Sequence, residues 1–141
     1  EGAFYWEDSV ETVIIPDSVK KIGEFAFYKC SALREVKLSA GLTEMGQFAF
    51  SGCDFSRIVV PGSLAEIPAR AFYDCTELEE LAIEEGVEAI GIQAFEYCTS
   101  LQSVAFPEGM ETIGGRAFAE WAEDGKRLPG TLFPAASRRA F

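Results

Sequence analysis

The sequence predicts a parallel β-solenoid, a fold in which the chain coils repeatedly around one long core. The main observation is a fixed repeat: the dipeptide Ala-Phe recurs at seven regularly spaced positions in 141 residues, at intervals of 23, 23, 22, 23, 23 and 23 residues. A second observation is that short apolar runs and turn residues recur at the same interval. A constant period of this length indicates one structural unit copied end to end, each copy burying its apolar side against the next.

The repeats predict a single domain over residues 1–141, with five full repeats and a half-repeat at each end. The full repeats span residues 10–32, 33–54, 55–77, 78–100 and 101–124, and the half-repeats span 1–9 and 125–141. One interval is short because a residue is missing between Cys53 and Phe55, and we expect the stacking to shift there. Since the chain starts and stops partway through a repeat, we expect it to be a piece of a longer protein.

Each repeat opens with a segment that predicts a short strand. Apolar residues occur at positions i, i+3 and i+5, as Leu78, Leu81 and Ile83 do in the fourth copy. The pair at i+3 and i+5 follows a period of two, which is typical of a strand with one buried face. Strands at equivalent positions of successive coils would then lie side by side in a parallel sheet.

A turn and a second apolar pair follow the strand. The turn carries Pro or a small residue and then Gly or Ser, as in the sequence 61–63, Pro-Gly-Ser. Pro lacks an amide donor and Gly tolerates positive φ, so these residues end the strand. Two apolar residues three apart come next, for example Val87 and Ile90, and then Gly, or Pro68 in the third copy, turns the chain again.

The last part of each repeat reads Ala-Phe-x-x-Cys, as in the third copy with Phe72 and Cys75. Apolar residues at this spacing suit one turn of a short α- or 3-10 helix with an apolar inner face. We therefore expect a strand on one side of each coil and a helical turn on the other. Equivalent Phe residues should stack as one ladder through the centre.

Taken together, these positions resemble a known repeat. The pattern L-x-x-[VI]-x-[LI]-P-x-x-[VL]-x-x-[IM]-G-x-x-A-F-x-x-C is matched closely by residues 13–30 and recurs over residues 10–118. It resembles the BspA-like leucine-rich repeat, also called the treponemal or 23-residue type. The resemblance implies a leucine-rich repeat solenoid in a surface, secreted or periplasmic protein that serves adhesion or interaction. It implies no shared active-site residues.

Composition narrows the function classes. The chain has 23 acidic and 12 basic residues and a formal net charge of −11. Such a surface repels phosphate backbones and anionic lipid, which disfavours nucleic-acid and membrane-surface binding. The chain contains no His, which excludes His-dependent triads and His-containing zinc sites. No apolar run reaches the roughly 18–20 residues of a membrane span. We expect no catalytic residues, no cofactor and no enzymatic activity.

Four cysteines recur with the repeat, at positions 30, 53, 75 and 98. Structural metal sites usually use C-x-x-C pairs, which are absent here. Parallel Cβ vectors on neighbouring coils would stay farther apart than a disulfide prefers. The spacing therefore favours a buried row of free thiols that pack as small hydrophobes, with disulfides and a metal site as the alternatives.

One coil is crowded with glutamates. They are Glu77, Glu79, Glu80, Glu84, Glu85 and Glu88. Carboxylates are preferred calcium ligands, but no Asp-x-Asp-x-Asp-Gly loop is present and strand alternation would scatter these side chains. We expect a solvated acidic face and no metal site.

The solvent-facing side of the predicted strands is the first candidate binding surface, because this surface is commonly the concave binding face of curved repeat proteins. The candidate binding residues there are Ile14, Lys37, Arg57, Val59, Ala82 and Ala105, and their flanking positions include Thr12, Glu35, Glu80 and Ser103. Apolar residues in this row indicate a contact surface, since exposed strand positions are normally polar. The alternative is strand propensity without a function.

A second candidate surface lies on the opposite side of the coil, near the core Phe residues. This outer aromatic patch comprises Phe25, Phe48, Tyr28, Tyr73 and Tyr97. It is either a second binding site or a well-packed outer surface.

These observations favour a non-catalytic interaction module that binds a protein or glycan partner through the strand face, with host adhesion as one form of that role. The alternatives are a structural spacer that self-associates through its terminal coils, and a carrier that holds a small hydrophobic ligand. The resemblance favours a location at the cell surface, in the periplasm or outside the cell.

Overall fold

The computed structural model describes residues 1–121, which form a parallel β-solenoid. Each coil contributes two short strands. The first face of the rod consists of β1 (Thr12–Ile14), β3 (Glu35–Lys37), β5 (Arg57–Val60), β7 (Glu80–Ile83) and β9 (Ser103–Ala105). The second face consists of β2 (Lys21–Ile22), β4 (Glu44–Met45), β6 (Glu66–Ile67), β8 (Ala89–Ile90) and β10 (Thr112–Ile113). From β1 to β9 the chain completes about four turns.

The predicted count of five full repeats is not supported by this description. The predicted fifth repeat ends at residue 124 and the second half-repeat spans 125–141, so both reach outside the described residues. The solenoid itself, its parallel strands and their register agree with the prediction. For example, Leu81 pairs with Ile58 on one side and with Val104 on the other.

The strands form where side chains alternate between core and solvent. In β5, Ile58 and Val60 are buried, whereas Arg57 and Val59 are exposed. The second strand of each coil is shorter and buries one apolar residue, such as Ile67 in β6. Burial of the same position in successive coils produces one continuous core along the rod axis.

The predicted helical turn around each core Phe is wrong, because the described residues contain no helix. The segment is instead a run of tight turns in which left-handed residues recur. Phe25 and Lys29 have φ values of 54° and 55°, and the equivalent positions of the later coils repeat this conformation. A right-handed helix cannot propagate through residues with positive φ.

The left-handed residues give the turn segment a ladder of its own. The Cys30 amide donates to Phe27 O within the coil, but the Phe27 amide donates to Ala49 O of the next coil at 2.7 Å. Neighbouring amides alternate between these two directions. The third side of the coil is therefore joined to its neighbours by interstrand-like hydrogen bonds, which a helix would have used internally.

The predicted phenylalanine ladder is confirmed over the described residues. The rings of Phe4, Phe27, Phe50, Phe72, Phe95 and Phe118 stack in that order. Their centroids lie 5.0–5.6 Å apart and their planes differ by 3–6°. The seventh residue of the series, Phe141, lies outside the described part of the chain.

The cysteines form a parallel row beside the phenylalanine ladder. All four are buried and free, as the interpretation as a thiol row predicts. The Cys75 thiol donates to Phe50 O of the preceding coil at 3.2 Å, and the other three thiols make the equivalent bond at 3.0–3.3 Å. Burial raises the pKa of the Cys75 thiol well above its usual range. Trp121 occupies the next position of the row, where its indole N–H donates to Leu101 O at 2.8 Å.

Candidate interaction surface

The outward side chains of the first face form a surface that we call the strand face. The paired positions align the predicted residues: Ile14 with Lys37, and Val59 with Ala82 and then Ala105. Ile14 is 64% exposed and Val59 is 45% exposed. The structure therefore brings the predicted apolar row together on one solvent-facing surface.

The flanking row of the strand face is charged or polar. Thr12 pairs with Glu35, and Arg57 pairs with Glu80, which in turn pairs with Ser103. Arg57 and Glu80 form an ion pair across β5 and β7, with Nη2 and Oε2 2.7 Å apart. Because both side chains are largely exposed, this pair orients the guanidinium more than it stabilises the fold.

The strand face is interrupted between β3 and β5, a boundary that we call the seam. At the other boundaries of this face, two neighbouring amides donate to one carbonyl of the preceding coil, as Glu79 and Glu80 donate to Ser56 O at 2.8 and 3.1 Å. The equivalent amides of Ser56 and Arg57 form no such bond within residues 1–121. The first face is thus a pair of sheets, β1-β3 and β5-β7-β9.

The seam continues onto the second face of the rod. There Glu88 and Ala89 donate to Ala65 O at 2.8 and 3.2 Å, whereas the amides of Ala65 and Glu66 have no matching bond in the described chain. The second face accordingly divides into β2-β4 and β6-β8-β10. Both faces open between the same two coils.

Two sequence features distinguish the seam from the other boundaries. The missing residue between Cys53 and Phe55 shortens the chain immediately before β5. Pro68 stands where Gly46, Gly91 and Gly114 stand in other coils, and the Gly91 amide donates to Ile67 O at 2.7 Å. Proline has no such donor.

The third side of the coil remains closed across the seam. The Phe50 amide donates to Ala71 O and the Gly52 amide to Tyr73 O, both at 2.8 Å. The Phe50 and Phe72 rings still stack, although at 5.6 Å they form the widest step of the ladder. The two halves of the solenoid are therefore joined along the turn side and open along both strand sides.

An open hollow, which we call the trough, lies over the seam on the strand face. Its main part has a volume of about 750 Å³ and is lined by residues of β3 and β5 and their flanks. A second hollow of about 410 Å³ shares Arg34, Ser56 and Glu79 with it. The lining also includes Asp17 and Glu80, so the trough extends across neighbouring coils.

The trough is lined by charges of both signs, with an excess of carboxylates. Its charged residues are Asp17, Glu35, Glu79, Glu80 and Glu84 on the acidic side, and Arg34, Lys37 and Arg57 on the basic side. Arg34 has an ion pair with Asp54, with Nη1 and Oδ2 3.3 Å apart, as Arg57 has with Glu80. Two of the three cations are thereby neutralised internally, which leaves the trough acidic.

Sequence reasoning placed Lys37, Arg57 and Val59 on this face, with Glu35 and Glu80 as flanking positions, but did not include Asp17 or Arg34. The 22-residue interval and Pro68 were the available signals for the seam, since each removes a contribution to strand pairing. The crowded glutamates divide in the structure, because Glu79, Glu80 and Glu84 line the trough whereas Glu85 and Glu88 do not. Among the residues described, no group of three acidic or cysteine side chains is placed to hold a metal ion.

The predicted outer aromatic patch divides into two clusters. Phe25 stacks on Phe48 with centroids 5.0 Å apart, and Tyr28 meets both rings edge-on. Tyr73 and Tyr97 contact each other at 5.4 Å in a separate cluster. The first cluster continues along the rod because the guanidinium of Arg70 lies 5.5 Å from the Phe48 ring centroid.

A buried carboxylate that the sequence did not reveal lies further along the same side. Glu96 is 2% exposed and accepts hydrogen bonds from the guanidinium of Arg116, at 2.8 Å from Nε. The Gln93 amide donates to the same carboxylate. Hydrogen bonding to Glu96 raises the pKa of Arg116. These hydrogen bonds compensate the buried negative charge of Glu96, so the network has a structural role.

The fold and this surface define the class of protein: a parallel solenoid of 23-residue leucine-rich coils whose exposed sheet carries an apolar row. No helix within residues 1–121 is long and apolar enough to cross a membrane. A family model described as the BspA type leucine rich repeat region matches residues 1–122 in six copies. The chain belongs to this family.

Solved structures of similar proteins share the fold. A leucine-rich repeat protein from Bacteroides ovatus is 29% identical, with a TM-score of 0.73 over 84% of this chain and 37% of its own. The leucine rich repeat protein of T. pallidum is 31% identical, with a TM-score of 0.66 over 91% and 69%. A leucine rich cell surface protein from Faecalibacterium prausnitzii is 25% identical, with a TM-score of 0.61 over 86% and 39%.

The chain therefore spans well under half the length of the Bacteroides and Faecalibacterium proteins. A search of the curated proteins gives no match.

Proposed function

We propose that this chain is a non-catalytic interaction module that binds a protein or glycan partner through the strand face, at Ile14, Lys37, Arg57, Val59, Ala82 and Ala105. The observation that carries the proposal is the exposure of Ile14 and Val59, 64% and 45%, on a sheet surface open to solvent. Apolar side chains in line on such a surface gain free energy when a partner covers them. The adjoining Arg57–Glu80 pair supplies polar groups at the rim of the row.

The location that fits this role is the cell surface, the periplasm or the outside of the cell. Support comes from the similar Faecalibacterium prausnitzii protein, which is described as a leucine rich cell surface protein. A module exposed there would meet protein and glycan partners directly, and adhesion to a host is one form of such binding.

The alternative roles have less support. The interior of the described coils is filled by rings stacked 5.0–5.6 Å apart, an arrangement that does not favour a carrier of hydrophobic ligands. Self-association through terminal coils stays a prediction, since residues 122–141 lie outside the described part of the chain.

The double variant Val59→Glu/Ala82→Glu tests the strand face. Two carboxylates in the apolar row should reduce capture of partners from bacterial and host extracts at least about tenfold, because burying an unpaired charge against a partner costs more than 1.4 kcal/mol. Ile92→Glu is the control, since Ile92 is an exposed apolar residue outside this face, at 58%. Equal capture by wild type and the double variant, with both proteins folded, would show that the strand face is not the binding surface.

A further inference from the structure

We propose that the seam is a hinge, at which residues 55–121 tilt as one body against residues 1–54 about the turn side of the coil. The tilt opens and closes the two strand faces, and the trough changes width with them. This inference concerns how the rod moves, and it does not depend on which partner the strand face binds. It rests on the links that are absent from the strand faces and on those that remain along the turn side.

Each half of the rod is a continuous hydrogen-bonded unit. After the seam, three strands are paired on each face, as β5-β7-β9 and β6-β8-β10, and before it two are paired on each face, as β1-β3 and β2-β4. No backbone bond joins β3 to β5 or β4 to β6 within residues 1–121. Bending either half would break ladder bonds, whereas bending at the seam breaks none on the strand faces. A tilt is therefore concentrated at this boundary.

On the second face, Pro68 keeps the two halves apart. At three other boundaries the residue in this position is Gly46, Gly91 or Gly114, and it lies against the backbone of the preceding coil. A Cβ added to any of these glycines would be 2.2–2.5 Å from a backbone nitrogen of that coil. Pro68 has a Cβ and a ring, so the same approach would overlap with the preceding backbone. The second face consequently stays unpaired at the seam.

The corner between the two strand faces also lacks a link across the seam. Asp17 accepts a hydrogen bond from the Ala40 amide of the following coil at 3.0 Å. Glu85 accepts one from the Glu108 amide in the same way, at 2.9 Å. Ala40 occupies the equivalent position immediately before the seam and has no carboxylate to offer. The amide of Gly62, which would meet such a group, donates at 3.1 Å to a carboxylate of its own half.

The turn side supplies the pivot. Two amides donate across the seam there at 2.8 Å, from Phe50 to Ala71 O and from Gly52 to Tyr73 O. The other boundaries have three such bonds, and the one nearest the second face is absent here among the residues described. Two neighbouring bonds at one edge fix the position of the axis and leave the angle between the halves adjustable.

The remaining contacts across the seam tolerate a small tilt. The chain passes between the halves at residues 53–55, and the Arg34–Asp54 ion pair lies beside this passage, close to the pivot. The ring stack is at its widest here, with the Phe50 and Phe72 centroids 5.6 Å apart. Apolar packing is non-directional, so these side chains can shift slightly without the loss of a hydrogen bond. The core limits the amplitude, since a wide opening would expose apolar surface.

Spin labels placed two coils apart test the hinge. The pair Thr12→Cys/Arg57→Cys spans the seam on the strand face, and Arg57→Cys/Ser103→Cys is its matched control within one half. The three residues are the first of β1, β5 and β9 and occupy equivalent positions. A third pair, Ser31→Cys/Thr76→Cys, spans the seam beside the pivot. The four native cysteines are buried, so labels react at the introduced sites, and EPR of frozen samples gives the distance distribution of each pair.

We expect the distribution of the strand-face pair to be at least about twofold wider than that of its control, because the halves tilt about the turn side. The pair beside the pivot should be as narrow as the control. Pro68→Gly/Ala40→Asp should narrow the strand-face distribution, because it introduces the glycine and the carboxylate that other boundaries have. Circular dichroism checks that each labelled variant is folded.

Three results would count against the hinge. Equal widths for the strand-face pair and its control would show that the rod is rigid at the seam. Equal broadening of the pair beside the pivot would show loosening without a fixed axis. Both comparisons use chains that keep Pro68 and Ala40, so they remain decisive even if the double substitution prevents folding. A folded Pro68→Gly/Ala40→Asp chain with the full width would overturn the role assigned to these two positions.

Discussion

Each phenylalanine of the ladder stabilises the fold because it stacks on the equivalent phenylalanines of the neighbouring coils. Phe72 is fully buried, stacks on Phe50 and Phe95, and meets Phe55 edge-on. Such a ring gains both apolar burial and the geometry that aromatic pairs prefer. The following coil adds a directional bond, since the Cys98 thiol donates to Phe72 O.

Replacing Phe72 with Ala should therefore reduce the free energy of unfolding by about 3–5 kcal/mol, because it leaves a ring-sized cavity in the ladder. Urea denaturation followed by circular dichroism measures this loss. Phe4→Ala is the control, because the Phe4 ring stacks on one neighbour and is 44% exposed. Similar losses for the two variants would contradict the idea that the ladder supports the core.

Residue identity predicted the ladder but not the backbone around it. The spacing of Phe72 and Cys75 placed both side chains inward, which is correct. The same spacing suits a helical turn and a run of left-handed turns, so periodicity could not separate them. Phe25, Lys29 and Tyr97 adopt positive φ, a conformation that bulky residues seldom favour and their identity does not indicate.

At the scale of elements, the coils are held together by close backbone approach as well as by side chains. Gly46, Gly91 and Gly114 follow the second strand of their coils and lie directly against the preceding coil. A Cβ added to Gly91 would be 2.4 Å from the Ala69 nitrogen, and one added to Gly46 would be 2.2 Å from the Glu24 nitrogen. These distances leave no space for a side chain between the two backbones.

Gly91→Ala should thus destabilise the protein by roughly 1–3 kcal/mol, the usual range for overpacking, because the obstructing atoms belong to the backbone. Gly109→Ala is the matched control, since a Cβ there would meet nothing within 4 Å. Thermal and urea unfolding of the two variants provide the measurement. Equal stabilities would mean that neighbouring coils can move apart at this point.

The strand elements were the most predictable part of the chain. Alternation at Leu81 and Ile83 gave the buried side, and the repeat gave the register with Ile58 and Val104. The buried Glu96 was not predictable, because its guanidinium partner is twenty residues away and belongs to the next coil. Pairs of this kind are fixed by the stacking of coils and have no local pattern.

At the scale of the whole molecule, the solenoid consists of two halves joined along one side. The sequence located the shift at the short interval after Cys53, and Pro68 removes a backbone donor at the same boundary. These two features coincide where both strand faces open. The trough follows from that coincidence, which no single position shows.

Hydrogen exchange should reveal the seam directly. We expect the amides of Ser56, Arg57, Ala65 and Glu66 to exchange much faster than their equivalents Glu79, Glu80, Glu88 and Ala89 one coil later, which are bonded to the preceding coil. The two sets occupy equivalent positions, so the comparison has an internal control. Exchange resolved by NMR on the native chain provides the test, and uniform protection across both sets would show that the strands are paired in solution.

The short coil acts on this rod as a stacking fault acts on a layered crystal. Adding or removing an entire coil preserves the lattice of bonds, whereas omitting one residue displaces every layer beyond the omission relative to those before it. The position of the opening along the rod is therefore set by where the residue is omitted. The side chains around the opening determine only what can bind there. Moving the omission and the proline at position 68 to another coil would relocate the opening along the rod while the stacked aromatic axis stays continuous.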